Sequence, residues 1–357
     1  MKKGELLAVD ISKLVNEVKH ELSFDEINGK TIAIDAYNTI YQFLSIIRQP
    51  DGTPLMDPKG RVTSHLSGLL YRTTNLLDYG ALPLFVFDGI PPQLKSRTIA
   101  ARISRREKAM QEWKSAQEKG LLEEARTHAM ASTRITREIV ESSKELLGYM
   151  GMPFIQAPSE GEAQAAYLVD NGMAYAAASQ DYDSFLFGAQ AVIRNLTITG
   201  RRKLPGKNIF VNVKTEKIML KDILSKFGIS RRQLVWAGML IGTDFNDGIK
   251  GIGPKTAIKA VKAAKDISEI QAALRSKYGT EIENAAEVER LFMEPDVKKV
   301  SAKEFRSLLS DSSPDRDSLM SFMCDEHGFS AERVEKSIEK IMASRKEKKQ
   351  KDINKWM

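Results

Sequence analysis

Four short runs rich in β-branched and aromatic residues punctuate the first half of the chain: TIAIDA at 31–36, LPLFVFDG at 82–89, MPFIQA at 152–157 and AYAAASQD at 174–181. Continuous apolar runs this short suit strands buried on both faces of a parallel sheet. Helical periodicity separates them, for example at 62–79 and 162–171. Strand alternating with helix predicts an α/β fold, a mostly parallel central sheet with helices on both faces.

Between the second and third runs the pattern changes. Residues 90–140 are charged and helical in composition, with apolar positions too sparse for a core helix, and Lys95, Arg97, Arg102, Arg105, Arg106, Lys108 and Lys114 crowd the first half. Such a segment is either a solvated insertion or a basic helical clamp over the sheet edge. Residues 192–213 read as two strands around a turn at Pro205 and Gly206, with Arg201, Arg202, Lys203 and Lys207 at the tip. From 344 onward the chain is lysine-rich and poor in apolar residues, the composition of a segment unstructured in the free protein, until Ile353, Trp356 and Met357.

Composition narrows the chemistry. Lys and Arg number 54 against 47 Asp and Glu, a net charge of +7, which favours a polyanionic partner without proving one. A single cysteine, Cys324, excludes an intramolecular disulfide and suits a reducing compartment. The opening MKKGELLAVDISK turns acidic before an apolar core can form, and no apolar run approaches a membrane span, so an intracellular, cytoplasmic protein is expected. The four histidines are scattered. A bound metal would therefore be held by carboxylates, which select Mg²⁺ or Mn²⁺ over zinc.

Acids fall where the strands end. Asp35 closes the first run and Asp88 the second; Glu160 and Glu162 follow the third, and Asp181 and Asp183 the fourth. A lone Asp in such a place is usually a helix cap or turn former. Six together at the carboxyl edge of an open sheet, where α/β ligands bind, would repel unless cations neutralise them. Two hard cations about 3.5–4 Å apart activate water and stabilise the oxygens of an in-line phosphoryl displacement. Within SEGE at 159–162, Ser159 and Glu162 also have capping-box spacing, so Ser159 is expected to cap the helix while Glu160 and Glu162 face the acid cluster. Further on, Gly251-Ile252-Gly253-Pro254 opens an amphipathic helix that includes Lys255 and Thr256; this spacing marks a helix-hairpin-helix element gripping duplex phosphates, with a plain helix-loop-helix turn as the alternative. Asp244, just upstream, is a candidate seventh acid.

Taken with AIDAYNTIYQFL, GRVTSHLSGLLYRT, VFDGIPPQLKS, APSEGEAQAAYL, ASQDYDSFLFG, IGTDFNDGIKGIGPKTA and KQKDINKWM in this order, the chain from about residue 9 onward resembles the structure-specific 5′ flap endonucleases in their archaeal form, within the XPG nucleases. The resemblance implies a PIN-like nuclease core forming one domain over 1–345. Its parts would be an N-terminal portion at 9–110, a helical arch at 90–140, an internal portion at 147–260, a helix-hairpin-helix at 236–265 and C-terminal helices at 266–345. It implies that Asp35, Asp88, Glu160, Glu162, Asp181, Asp183 and Asp244 hold two Mg²⁺ ions (or Mn²⁺), that Lys95 and Arg102 stabilise the scissile phosphate, and that Tyr41 stacks on the entering nucleotide. The arch would enclose the 5′ single strand of a branched DNA, and a K⁺ would sit at the hairpin element. Arg48, Thr63, Arg72, Arg105, Arg106, Arg201, Arg202, Lys203, Gly251, Gly253, Lys255 and Thr256 become candidate DNA contacts. The tail at 346–357 matches a sliding-clamp (PCNA) motif through Gln350, Ile353 and Trp356, with Met357 where a second aromatic is usual. Ala8-Val9 stands where the family begins Met-Gly-Val. A repair-type 5′ exonuclease or junction resolvase of the same superfamily, and a non-catalytic clamp-bound adaptor, remain rival functions.

Overall fold

The computed structural model of the protein describes residues 15–197, 200–203, 210–310 and 313–354. Its strands are β1 (Lys19–Glu21), β2 (Thr31–Asp35), β3 (Leu82–Phe87), β4 (Phe154–Gln156), β5 (Ala176–Ala178), β6 (Ala191–Arg194), β7 (Gly200–Lys203), β8 (Phe210–Val213) and β9 (Glu216–Met219). The helices are α1 (Ala36–Ile46), α2 (Ser64–Asp78), α3 (Ser96–Glu118), α4 (Leu122–Ala131), α5 (Arg137–Tyr149), α6 (Gly161–Asp170), α7 (Asp183–Leu186), α8 (Leu220–Phe227), α9 (Arg231–Ile241), α10 (Pro254–Ala263), α11 (Ile267–Tyr278), α12 (Ala285–Met293), α13 (Ala302–Ser310), α14 (Arg316–Met320) and α15 (Ala331–Asn354).

The main sheet runs β1-β9-β6-β5-β2-β3-β4. From β6 to β4 every pair is parallel. The chain winds outward from β2 through β3 to β4, then returns to the other flank of β2 as β5 and β6. That reversal opens a crevice at the carboxyl ends of the central strands, the usual ligand position in an open α/β sheet. All four apolar runs supply parallel strands, as their pattern predicts.

Alternation along each strand divides the core in two. Ile32, Ile34, Phe85, Phe87, Ala176, Ala178 and Ile193 face a cluster with α1, α2, α5 and α15, while Ala33, Leu84, Val86, Ile155, Ala177, Val192 and Ile218 face α6, α7, α9, α10 and α12. Phe85 and Phe87 are almost fully enclosed, and burying each contributes roughly 1.5–3 kcal/mol.

The sheet is mostly parallel, as expected, with an antiparallel flank in which β9 pairs with β6 and β1 with β9. Both are short and charged (KHE and EKIM), which hides them from an apolar-run search; β1 is the edge strand, where charge discourages pairing with another chain. Two expectations are corrected. The expected hairpin at 192–213 is divided. Ala191–Arg194 joins the main sheet as β6, and only β7 and β8 form the two-stranded antiparallel ribbon; its turn at Pro205-Gly206, with Lys207, lies outside the described residues. Finally, the tail expected to be unstructured from 344 continues as helix α15 through Asn354, its Lys, Glu and Gln residues being good helix formers. Val334, Ile338 and Ile341 bury one face of α15, and Lys340 pairs with Asp78 of α2 at 2.6 Å.

The charged insertion is a helical hairpin of α3 and α4. Only alanines are buried on these two helices, Ala109 and Ala116 on α3 and Ala125 and Ala129 on α4, so the helices approach closely while their long polar side chains face out. Residues 48–54 hold it against the body. Gly52 packs so closely on α4 that a Cβ there would lie 2.7 Å from Cβ of Ala129.

Candidate active site

Seven acids gather at the carboxyl edge of the sheet, each placed by a different local device. Asp35 ends β2 and caps α1, its Oδ1 accepting from the Asn38 N–H at 2.9 Å. Here the capping role and a place in the cluster coincide. Asp88, just past β3, accepts at 2.6 Å from the N–H of Gly161, the first residue of α6. Glycine leaves room for this contact, because a Cβ at 161 would lie 2.6 Å from Asp88 Oδ1 and push the carboxyl aside.

This contact corrects the expectation for Ser159. Glu160, not Ser159, is the residue before the helix, and no side chain of that segment caps it. The orphan N–H of Gly161 is satisfied across the sheet by Asp88. Glu162 does not fold back on Ser159. Its Oε1 accepts from Ser179 Oγ at 2.9 Å and Ser184 Oγ at 3.0 Å, which aims the carboxyl at Asp181 and Asp183.

Asp181 accepts from Asn38 Nδ2 at 2.9 Å. Asp183 opens α7, buried, with its Oδ1 lacking any hydrogen-bond partner. Asp244 follows α9, where both its oxygens accept from Arg102 Nη2, at 2.7 and 2.8 Å. Lys95 Nζ lies 2.5 Å from Glu160 and 3.4 Å from Asp244. Lys95 ends the turn leading into α3 and Arg102 sits early in α3, so the base of the hairpin supplies both cations. Tyr41, on α1, is half-buried with the Arg106 guanidinium 5.8 Å from its ring centre.

Burial and mutual repulsion set the protonation of this floor. Burial, then Asp88, push Asp35 well above the carboxylate range. Burial, then Asp181 and Asp183, do the same to Glu162. Asp88 rises to about 6 through burial and Glu160, and Asp183 to about 8 through burial, Asp244 and Asp181. Asp181 is raised by burial and Asp244. Burial opposes the charge on Lys95, but Glu160 and Asp244 outweigh it and hold the ammonium above its ordinary range.

The donor chemistry fits a hard divalent cation. The seven groups offer only oxygen, and the buried, unpartnered Oδ1 of Asp183 is an atom such an ion would satisfy. Among the described residues no three acids close on one point tightly enough to enclose an ion; Glu160 and Asp244 are instead held by Lys95 and Arg102.

A pH dependence follows for protein stripped of divalent ions. Asp183 titrates near 8 in the folded chain against an ordinary 3.8, so between those values the folded state keeps a proton that the unfolded state has lost. The stability so contributed is full below 3.8 and is lost as pH rises through about 8. In chelator, the melting temperature of Asp183→Asn should therefore fall less than that of the wild type between pH 6 and 8. Parallel profiles by calorimetry would contradict the assignment.

The remaining candidate contacts divide. Arg105 is exposed on α3 and Arg72 on α2, whereas Thr63 is buried before α2. Arg48 turns inward: Nε donates to Leu44 O at 2.7 Å, Nη1 to Gly52 O at 2.7 Å and Nη2 to Thr133 Oγ1 at 2.8 Å. Arg48, partly exposed, thus helps close the 48–54 turn and ties it to Thr133, while Thr63 is buried within the loop. Between α9 and α10, Gly251 takes φ +91°, a left-handed conformation. No atom lies within 4 Å of a Cβ built at Gly251 or Gly253, so this backbone faces open space, with Lys255 and Thr256 exposed beside it. Arg201, Arg202 and Lys203 lie on β7 and Gln350 and Ile353 on α15, with their side chains outside the described set; Trp356, Met357 and Ala8-Val9 lie outside the described residues.

Sequence reasoning missed the groups that hold the acids: Asn38, Ser179, Ser184 and Gly161. Only Gly161 carried a signal, as a glycine between two carboxylates at a helix start, where close approach by a third group favours it.

The XPG N-terminal domain family matches residues 6–109 and the XPG I-region family residues 151–244. Flap endonuclease 1 of Thermococcus onnurineus is 47% identical over 352 residues, 98% of this chain and 99% of its own length. Flap endonuclease 1 of Pyrococcus furiosus is 47% identical over 340 residues, 95% and 96% of the two chains. Flap endonuclease-1 from Methanococcus jannaschii superposes with a TM-score of 0.71 at 38% identity, over 92% of this chain and 97% of that one. With the acid-lined edge of a mostly parallel sheet, its overlying helical hairpin and near full-length identity all in agreement, this chain belongs to the flap endonuclease family of XPG nucleases.

Proposed function

We propose that the protein is a structure-specific 5′ flap endonuclease with 5′–3′ exonuclease activity, hydrolysing the phosphodiester at the junction of single strand and duplex during flap and primer removal in replication and in repair. One observation carries this reading: seven acids converge at the sheet edge directly beneath a helical hairpin whose base brings Lys95 and Arg102 among them. Asp35, Asp88, Glu160, Glu162, Asp181, Asp183 and Asp244 would hold two Mg²⁺ ions, with Mn²⁺ as the alternative. When bound, such ions would lower the pKa of the attacking water and offset charge on the oxygens of phosphorus.

The chain's own residues do the rest. The hairpin of α3 and α4 is the arch that admits the 5′ strand, and Tyr41 offers a face for the nucleotide entering beneath it. Lys95 and Arg102 leave Glu160 and Asp244 for the scissile phosphate, stabilising the charge that develops there. Water adds to phosphorus as the 3′ oxygen departs, leaving a 5′-phosphate and a 3′-hydroxyl. Behind the junction, the open Gly251–Gly253 backbone and the N-terminus of α10 grip duplex phosphates without reading bases, and a K⁺ held there would add positive charge to that grip. Gln350, Ile353, Trp356 and Met357 serve a sliding clamp (PCNA); Met357 in place of an aromatic weakens that contact.

Cleavage of a 5′ flap, a nicked duplex and a four-way junction, compared in Mg²⁺, tests the substrate class. The flap should be cut fastest. Paired symmetrical cuts in the four-way junction as the dominant product would favour a resolvase, and no product from any substrate would favour the adaptor.

A further inference from the structure

Asn38 occupies a position in this site that its residue type does not announce. Its backbone N–H donates to Asp35 Oδ1 at 2.9 Å, and its side-chain Nδ2 donates to Asp181 Oδ2 at 2.9 Å. One residue thus joins the acid that ends β2 to the acid that follows β5, across the crevice where the strand order reverses. The remaining polar atom of that side chain, Oδ1, accepts from Gln42 Nε2 at 2.5 Å, one helical turn further along α1.

This arrangement has a direction. A carboxylate only accepts hydrogen bonds, so Asn38 must present nitrogen, not oxygen, to Asp181. A primary amide can be reversed at little steric cost, and what decides its orientation is the partner on the other side. Gln42 supplies a donor there and thereby fixes the useful orientation. Without such a tether Asp181, crowded by like charges, would turn away from its neighbours.

We propose that Asn38, oriented by Gln42, is a positioning residue that holds Asp35 and Asp181 at the spacing which binds a divalent cation. This rests on the metal reading of the acid cluster. Groups that orient metal ligands in this way typically contribute about 10–100-fold to affinity.

Mn²⁺ binding to the full chain without DNA, at pH 8.5, separates the possibilities by calorimetry or by the Mn²⁺ spin-resonance signal. Asn38→Ala should weaken Mn²⁺ binding about 10-fold or more. Gln42→Glu should weaken it comparably, because an ionised glutamate cannot donate and so forces the Asn38 amide to reverse, presenting oxygen to Asp181. That result is diagnostic: an added negative charge acting only through space would strengthen cation binding. The double variant should bind no more weakly than Asn38→Ala alone, since Gln42 orients the site only through Asn38 and its new charge favours a cation. Wild-type binding retained in Gln42→Glu, or losses that multiply in the double variant, would overturn the inference while leaving the metal site intact. A wild-type chain that takes up no Mn²⁺ would overturn the metal reading and the inference together.

Discussion

Asp181→Ala should abolish flap cleavage while leaving flap binding within a few-fold of wild type. Asp181 sits at the centre of the acid floor, tied to Asn38 and electrostatically linked to Glu162, Asp183, Asp244 and Asp35. If it holds a cation, its loss removes a Lewis-acid contribution of several kcal/mol, and each ~1.4 kcal/mol is tenfold in rate, so single-turnover cleavage should fall by about 10³ or more. On the proposed reading, binding rests instead on the cations of the α3–α4 hairpin and on the open backbone before α10. Removing one negative charge from the floor would, if anything, ease the approach of phosphate. Single-turnover kinetics alongside equilibrium binding in Ca²⁺ separate the two effects; unchanged turnover would sink the metal assignment.

Lys95→Ala should slow single-turnover chemistry by roughly 10² or more, the scale of losing one preorganised group aimed at developing charge. Lys95 is the better placed of the two arch cations to matter, because it is largely buried and contacts two acids from different elements, Glu160 at 2.5 Å and Asp244 at 3.4 Å. Arg102 contacts Asp244 from a more exposed position. Truncation also leaves Glu160 without its ion-pair partner. Lys95→Arg, which keeps the charge, should recover part of the rate. A change confined to KM, with kcat intact, would make Lys95 a binding contact and not a participant in the chemistry.

The parts of the site visible in the sequence were those with a strong local signature. Asp35, Asp88, Asp181 and Asp183 follow apolar runs, and a parallel sheet obliges those runs to end on one edge. Glu162 could be assigned to the cluster because it shares a strand end with Glu160 and faces the same sheet edge as Asp181 and Asp183. The hidden features depend on long-range pairing. Gly161 receives its cap from Asp88, which no local window contains. Arg48 looks in sequence like any exposed basic residue, yet its guanidinium donates to Leu44 O, Gly52 O and Thr133 Oγ1. Strands β1 and β9 gain their identity from each other and from β6, and their charged residues erase the apolar signal. The helix at 344–354 was masked by composition, since lysine and glutamate favour both disorder and helix and only the preceding buried face of α15 decides between them.

If these seven acids form a metal-dependent site cutting at the single-strand/duplex junction, the products record it: the ends of a 5′-flap DNA, labelled separately at each end of the flapped strand, are mapped with Mg²⁺ and with chelator in its place. A single cluster of cuts at the junction is expected, bearing 5′-phosphate and 3′-hydroxyl ends, present in Mg²⁺ and absent in chelator. Cutting that persists in chelator, or that is scattered along the duplex irrespective of the junction, would contradict it.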